Sequence, residues 1–354
     1  MTDLPPVSPH LIIEDDPILI TGANGFIGSQ VINMLLERGF SNLRCLVRPS
    51  GKLDRLNEVV AGRPNAQVQI LTGNLLSRED CKRAVSNVRL IYHLAAGMEK
   101  SFAGSFMNSV LTTRNLLDAV IQEGALKRFV NVSSFAVYST KKLKRGALLD
   151  ESCAIETPPY ARHDAYTYAK IKQDELVLAY MKRFGVPSVI VRPGAVYGPG
   201  KKPITGRVGI DTFGIYLHLG GSIRLPLTYI DNCADAIILA GLTPGIEGEI
   251  FNIVDDDLPT SRKFLRLHKK NVRRFLSVPI PYPAAYLLCA LWEKYSHWSE
   301  GQLPPVFNRT RCTADWKGNQ YSNEKLKRLL GWSPRVRFED ACKRYFEYQR
   351  SSTS

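Results

Sequence analysis

The feature that most constrains this chain is a run of three glycines, Gly22, Gly25 and Gly28, in the segment Thr21-Gly-Ala-Asn-Gly-Phe-Ile-Gly. A glycine at 22 permits a tight turn, Gly25 lets backbone approach a phosphate, and Gly28 lets a helix pack close to the preceding strand. The pattern alone is equally compatible with a purely structural turn. Its context is more specific, because an apolar strand-like run at 18–21 precedes it and helical spacing of apolar residues follows at 27–38. The helix N-terminus then presents free N–H groups and a positive dipole end. This predicts a dinucleotide pyrophosphate held by Gly22, Gly25, Phe26, Ile27 and Gly28.

The alternation continues beyond the turn. Short apolar runs bounded by turn residues lie at 43–47, 68–71, 90–94, 128–132 and 188–191, and helical runs at 78–85, 105–123 and 164–184. Gly39 and Gly185 sit just past two of the helices, where a left-handed cap is expected. The expected fold class is α/β: a doubly wound parallel sheet of the Rossmann kind, with a smaller, interleaved C-terminal substrate lobe. The expected division is a flexible lead-in over 1–16, a nucleotide-binding domain over 17–193 plus about 225–256, and a substrate lobe over about 194–224 plus 257–354. Loops are expected at 198–203 and 205–209, a strand and helix over 228–242, and a helical pair at 323–330 and 338–348. The sequence has no internal repeat and no low-complexity tract.

The formal net charge is +14, but the basic residues are spread along the 354 residues, and the densest clusters, 141–145 and 269–274, read as solvated faces. No nucleic-acid partner is expected. The seven cysteines include no Cys-x-x-Cys pair, which excludes a sequence-legible zinc site and a disulfide framework, so no metal is expected. Cysteine usage fits a reducing compartment, and no secretory signal is legible near the N-terminus; a cytoplasmic protein is expected. The segment 279–292 falls short of the roughly 20 apolar residues that span a bilayer. It reads as a substrate-pocket helix, with peripheral membrane contact as the open alternative. A homodimer also stays open.

At the end of the second strand, where an acid would read the ribose of NAD, the sequence has Arg48, with Lys52 and Arg55 nearby. NADP(H) is therefore favoured; if Arg48 only stacks on adenine, NAD(H) is accepted. Tyr166 and Lys170 are four apart, on one face of a helix, where an ammonium can lower the pKa of a phenol toward a useful acid/base range. Tyr168 and Lys172 have the same spacing, so chemistry alone leaves the register open. Ser134 follows the strand at 128–132, at the end where open α/β sheets bind ligands, and can orient a substrate carbonyl; Ser133 reads as its buried neighbour. His93, near the end of a central strand, reads as a packed residue rather than a base.

These residues resemble the extended short-chain dehydrogenase/reductase family, which includes NAD-dependent epimerases/dehydratases and 3β-hydroxysteroid dehydrogenase-like enzymes. Thr21 to Gly28 looks like its glycine motif, Gly73-Asn74-Leu75 like its adenine-contacting segment, and Leu94-Ala95-Ala96-Gly97 like the segment beneath the cofactor. Arg192-Pro193-Gly194, followed by Tyr197-Gly198-Pro199, resembles its nicotinamide-side loop. Tyr229 to Asn232 and Phe251-Asn252-Ile253 resemble later landmarks. The resemblance implies Ser134, Tyr166 and Lys170 as the catalytic set, and Tyr166, Lys170, Asn74, Leu75, Leu94, Ala95, Ala96 and Pro193 as further cofactor contacts. It also chooses Tyr166 over Tyr168. Asn74 stands where the family usually has aspartate, Ala169 replaces a common serine, and Gly194-Ala195-Val196 lacks an asparagine common in sugar-nucleotide epimerases. The expected activity is NAD(P)-dependent hydride transfer between nicotinamide and a secondary alcohol or ketone of a fairly apolar small-molecule substrate. A nucleotide-sugar epimerase/dehydratase with tightly bound NAD is the runner-up, and a non-catalytic nucleotide-binding scaffold the third reading.

Overall fold

Short apolar strands, all but one of them largely buried, build the centre of the molecule. In the computed structural model, which describes residues 10–63, 66–201, 206–212, 214–300 and 302–351, seven strands form one parallel sheet. They are β1 (Ile18–Thr21), β2 (Leu43–Val47), β3 (Val68–Thr72), β4 (Leu90–His93), β5 (Arg128–Val132), β6 (Ser188–Pro193) and β7 (Ile250–Ile253). Their spatial order is β7-β6-β5-β4-β1-β2-β3. The order reverses between β1 and β4, where Thr21 pairs with His93; this is the switch point at which open sheets leave a ligand crevice beyond the strand C-termini.

Helices cover both faces. On one side α1 (Phe26–Glu37) packs against α7 (Ile230–Leu242) and α2 (Asp54–Ala61). On the other, α3 (Arg78–Val85) packs against α5 (Thr112–Glu123), which in turn meets α6 (Ala165–Phe184). The helix expected at 105–123 starts earlier: α4 (Phe102–Phe106), capped by the Ser101 hydroxyl, runs through a π-helical turn, Met107–Leu111, into α5. Gly39 and Gly185 both have positive φ, as expected. The helix α2 was not expected, since only Leu56 of it is buried and its apolar face is short.

One expectation needs correction. The lead-in is not loose over its whole length: Ile12 is 1% exposed within the main core and the Leu11 N–H donates to the Leu242 carbonyl at 2.7 Å. Its first nine residues lie outside the described ones. Part of the Gly- and Pro-rich loop, 202–205, also lies outside them.

The C-terminal part adds α8 (Ser261–Asn271), α9 (Tyr282–Trp298), α10 (Arg309–Trp316), α11 (Glu324–Leu330) and α12 (Phe338–Ser351), with a three-stranded sheet of residues 209–212, 215–218 and 277–279. The helix in the segment 279–292 extends to Trp298. One face of it, through Ala285, Leu288, Cys289 and Trp292, helps line an apolar cavity of about 260 Å³. The same helix exposes Leu287 (60%), Leu291 (55%) and Trp298 (77%). Among the described residues no helix is long and apolar enough to cross a membrane.

Candidate active site

The turn after β1 lies against the loop after β4. Gly22 has φ +69°, and a Cβ there would sit 2.9 Å from the Ala95 nitrogen. At Gly28 a Cβ would lie 2.2 Å from the Gly22 carbonyl oxygen, so α1 can start this close to the turn only without a side chain. No side chain caps α1, which leaves its first N–H groups facing the crevice.

A cavity of about 290 Å³ opens there, and its wall includes Gly22, Gly25, Arg48, Asn74, Leu75, Leu94, Ala95 and Ala96. Asn24, Asn108 and Thr112 also line it and were not anticipated. Asn24 lies inside the glycine motif itself. Asn108 and Thr112 come from the π turn and the start of α5, and no sequence signal marked them. Asn74 is held on both sides, its N–H donating to Asp80 Oδ2 at 2.8 Å and its Oδ1 accepting from the Leu76 N–H at 3.0 Å. Phe26, Ile27, Gly28, Tyr166, Lys170 and Pro193 lie outside this wall. Phe26 and Ile27 pack on a core cluster that includes Tyr197, Tyr229 and Ile230, and the Phe26 ring carries the Arg55 guanidinium at 5.6 Å. The donor set fits a dinucleotide: an uncapped helix start and a backbone cradle for phosphates, with Arg48 and an amide at the adenine end.

Beyond β5, the Asp164 carboxylate caps α6 by accepting from the Thr167 N–H at 2.9 Å. On the helix so set, Tyr166 lies beside Ser134, whose hydroxyl acts on its phenol. Lys170, one turn on and 3% exposed, donates to the Val132 carbonyl at 2.6 Å and to Gln173 Oε1 at 2.9 Å. Tyr168 instead packs its ring against Phe102 and Phe106, at 5.3 and 6.3 Å, and Lys172 pairs with Glu175 at 2.7 Å on the surface. The structure therefore places Tyr166 beside Ser134 with Lys170 one helical turn on, and leaves the other pair apart. Ser133 is buried and donates to Asp174 Oδ2 at 2.9 Å, beside the Arg192 ion pair at 3.1 Å.

The electrostatics differ from the expectation that Lys170 lowers the tyrosine pKa. Burial raises the Tyr166 phenol above its ordinary value against the pull of the Ser134 hydrogen bond, with Asp164 and Asp174 adding to the rise. Burial also lowers the Lys170 ammonium to about 8, opposed by Asp174. Lys170 is not among the groups that move the phenol; its ammonium is anchored on a backbone carbonyl and an amide, and desolvation decides.

His93 is packed, as expected, but within a polar chain. Thr113 Oγ1 donates to the Ser109 carbonyl at 2.5 Å and accepts from Gln173 Nε2 at 2.8 Å. The 2.8 Å contact from His93 Nε2 must then be a donation to Thr113, which leaves Nδ1 to accept from the Thr21 hydroxyl at 2.8 Å. Neutral His93 thus links Lys170, through Gln173 and Thr113, to the strand that carries the glycine turn. Burial, reinforced by the Lys170 charge, holds its pKa down at about 3. The unfolded chain takes up this proton as pH falls below roughly 6.5 and the folded protein does not. Stability from this group is complete above that pH and is lost as pH falls toward 3. Between pH 7 and pH 5 the wild type is expected to lose about 2 kcal/mol more than His93→Gln in urea unfolding. Equal losses would show that the native histidine accepts the proton.

A second cavity, of about 190 Å³, adjoins the catalytic cluster; Ser134, Arg162, Asp164, Gly194, Arg207, Arg311 and Asp315 are among its lining. None of its charged residues was singled out from the sequence as a site residue, since they lie on three separated segments.

A parallel sheet of this order, with a glycine turn at its switch point, defines a dinucleotide-binding enzyme fold. The model of the NAD dependent epimerase/dehydratase family matches residues 18–253, and the chain is an enzyme that belongs to this family. It is similar to the Mus musculus sterol-4-alpha-carboxylate 3-dehydrogenase, decarboxylating: 25% identical over 343 residues, covering 92% of this chain and 88% of the relative. It is also similar to a Mycobacterium tuberculosis 3 beta-hydroxysteroid dehydrogenase/Delta 5→4-isomerase, 27% identical over 336 residues, covering 90% of this chain and 86% of the relative. The Bacillus cereus UDP-glucuronic acid 4-epimerase, solved with UDP-glucuronic acid and NAD, shares its fold with a TM-score of 0.71 and 22% identity, over 95% of this chain and 99% of that one.

Proposed function

We propose that this protein is an NAD(P)-dependent oxidoreductase that interconverts a secondary alcohol and a ketone on a fairly apolar small molecule, with Tyr166 as the acid/base. The observation that carries this reading is the placement of Tyr166 beside Ser134, one helical turn from the buried Lys170. The bound nicotinamide supplies or accepts the hydride. Ser134 orients the substrate carbonyl, and the Tyr166 phenol gives its proton to the carbonyl oxygen as the carbinol forms. A phenol held up by burial keeps its proton at neutral pH, so the donor form is the one present before hydride transfer. Lys170 keeps one N–H beyond its two hydrogen bonds, available to a ribose hydroxyl. The apolar cavity beneath α9 supports an apolar substrate body, and the exposed Leu287, Leu291 and Trp298 support a lipid surface as a peripheral contact. Turnover of a panel of ketones with NADPH and NADH tests the activity, and no turnover of any of them would sink it.

The polar cavity beside Ser134 favours the second reading, a nucleotide-sugar epimerase/dehydratase that returns the hydride to its substrate. That enzyme would keep NAD through purification. Protein that emerges free of nucleotide and binds NADPH in preference excludes it.

For the cofactor we propose NADP(H). Arg48 lines the nucleotide cavity and no carboxylate does so among the described residues. Arg48→Asp is expected to weaken NADPH binding at least tenfold, about 1.4 kcal/mol, and to leave NADH binding intact in a fluorescence titration. An equal loss for both nucleotides would mean that Arg48 acts on the adenine they share.

A further inference from the structure

The loop after β4 is tied to the π-helical turn by a carboxylate that no sequence motif marked. Glu99 Oε1 accepts from Asn108 Nδ2 at 2.7 Å, the Glu99 carbonyl accepts from the Ser105 hydroxyl at 2.9 Å, and the Gly97 N–H donates to the Ser109 hydroxyl at 2.9 Å. Gly97 makes room for this tie, since a Cβ there would collide with Glu99 Oε2 and lie 3.0 Å from Asn108 Cβ. A carboxylate only accepts hydrogen bonds, so Asn108 must turn its NH2 group toward Glu99. Its Oδ1 then faces the other way, and among the described residues no donor reaches it. Asn108 lines the nucleotide cavity beside Thr112, whose hydroxyl donates its proton to the Asn108 and Ser109 carbonyls at 3.0 and 3.1 Å and so offers lone pairs as well. This part of the wall accepts hydrogen bonds, whereas the glycine turn and Arg48 donate them. Glu99 Oε2 is buried without a partner, and no cation pairs with the carboxylate among the described residues. A stranded carboxylate oxygen costs stability, so folding alone is better served by an uncharged group at this position.

We propose that Glu99 is a positioning residue for the cofactor: it locks the Asn108 amide with Oδ1 toward the cavity, where that oxygen accepts from an N–H or O–H group of the bound nucleotide. This rests on the reading of the cavity as the nucleotide site. The wall does not include Tyr166, so the cavity holds the adenosine half. The donors on that half are a ribose hydroxyl and the adenine amino group. Glutamine at position 99 reverses the arrangement. With its NH2 group turned to Asn108 Oδ1, glutamine strands only a carbonyl oxygen; with its oxygen turned to Asn108 Nδ2, it strands two N–H hydrogens in the buried slot of Oε2. The first arrangement is the less costly, and it turns the Asn108 NH2 group into the cavity, donor against donor. The carboxylate permits one orientation of the amide and glutamine does not.

The test titrates NADPH, NADH and their deamino (hypoxanthine) analogues into the full chain, read by nucleotide fluorescence, with thermal unfolding of each variant alongside. Glu99→Gln is expected to bind the preferred nucleotide about five- to tenfold more weakly than the wild type, the worth of one hydrogen bond. It is expected to unfold at the same temperature or higher, because the stranded carboxylate is gone. A residue that served folding alone would not separate the two readouts in this way. Combining Glu99→Gln with Asn108→Asp keeps one carboxylate and one amide with their places exchanged, so a carboxylate oxygen again faces the cavity, and affinity is expected to recover. The deamino analogues assign the donor: a loss on Glu99→Gln that disappears with them belongs to the adenine amino group, and one that persists belongs to a ribose hydroxyl. Wild-type affinity in Glu99→Gln, an exchanged pair that binds no better than Glu99→Gln alone, or affinity that falls only in step with thermal stability would overturn the role of Glu99. Wild-type protein that binds none of the four nucleotides would overturn the reading of the cavity along with it.

Discussion

Replacing Tyr166 with phenylalanine is expected to lower kcat by about 10²–10⁴-fold on any alcohol or ketone the enzyme turns over, with nucleotide affinity retained. The substitution removes one hydroxyl and keeps the ring. What disappears is the proton donor beside Ser134, so the loss falls on the chemical step. Tyr168→Phe supplies the control, because the Tyr168 ring already packs against Phe102 and Phe106 and phenylalanine preserves those contacts. Its kcat should match the wild type. If Tyr168→Phe were the inactive variant and Tyr166→Phe the active one, the assignment of the catalytic tyrosine would be wrong.

The second large effect belongs to the glycine turn. Gly28→Ala places a methyl group 2.2 Å from the Gly22 carbonyl oxygen. The obstacle is backbone, which cannot rotate aside as a side chain would, so α1 must move away from β1. Overpacking of this kind costs about 1–3 kcal/mol of stability, and the displaced helix start no longer meets the phosphates. Nucleotide affinity is expected to fall by more than tenfold in a binding titration. Gly124→Ala separates the two causes. Gly124 also has positive φ, +68°, but nothing lies within 4 Å of the added Cβ, so it should cost about 1 kcal/mol in thermal unfolding and leave nucleotide binding unchanged. Wild-type nucleotide affinity in Gly28→Ala would remove the turn from the cofactor site.

Much of the nucleotide half of the site was legible from residues close together in the chain. The strand-turn-helix around Gly22 is a local object, as are Arg48 at the end of β2 and Asn74 just after β3. The cavity does gather Gly22, Arg48, Asn74 and Ala95. The substrate half was much less legible. Arg207 precedes a strand of the small sheet and Arg311 lies on α10, and no periodicity links either to Ser134. Asn108 and Thr112 reach the nucleotide cavity through a π turn, which an apolar spacing rule based on 3.6 residues cannot anticipate.

The sequence by itself determined where backbone must bend and which runs are strands or helices. Those properties follow from sterics and from apolar spacing within a few residues. A glycine with φ +69° and a strand buried on both faces are written locally. Tertiary structure alone decided the local chemistry. It gave the physical ground for the choice of Tyr166 over Tyr168 that the family resemblance had made, by setting one beside Ser134 and the other against α4. It tied Lys170 to Val132 and Gln173, and it raised the phenol that the lysine was expected to lower. The physical reason is that desolvation and hydrogen-bond partners depend on which distant segments meet around a group, and a single spacing of four residues carries no information about them.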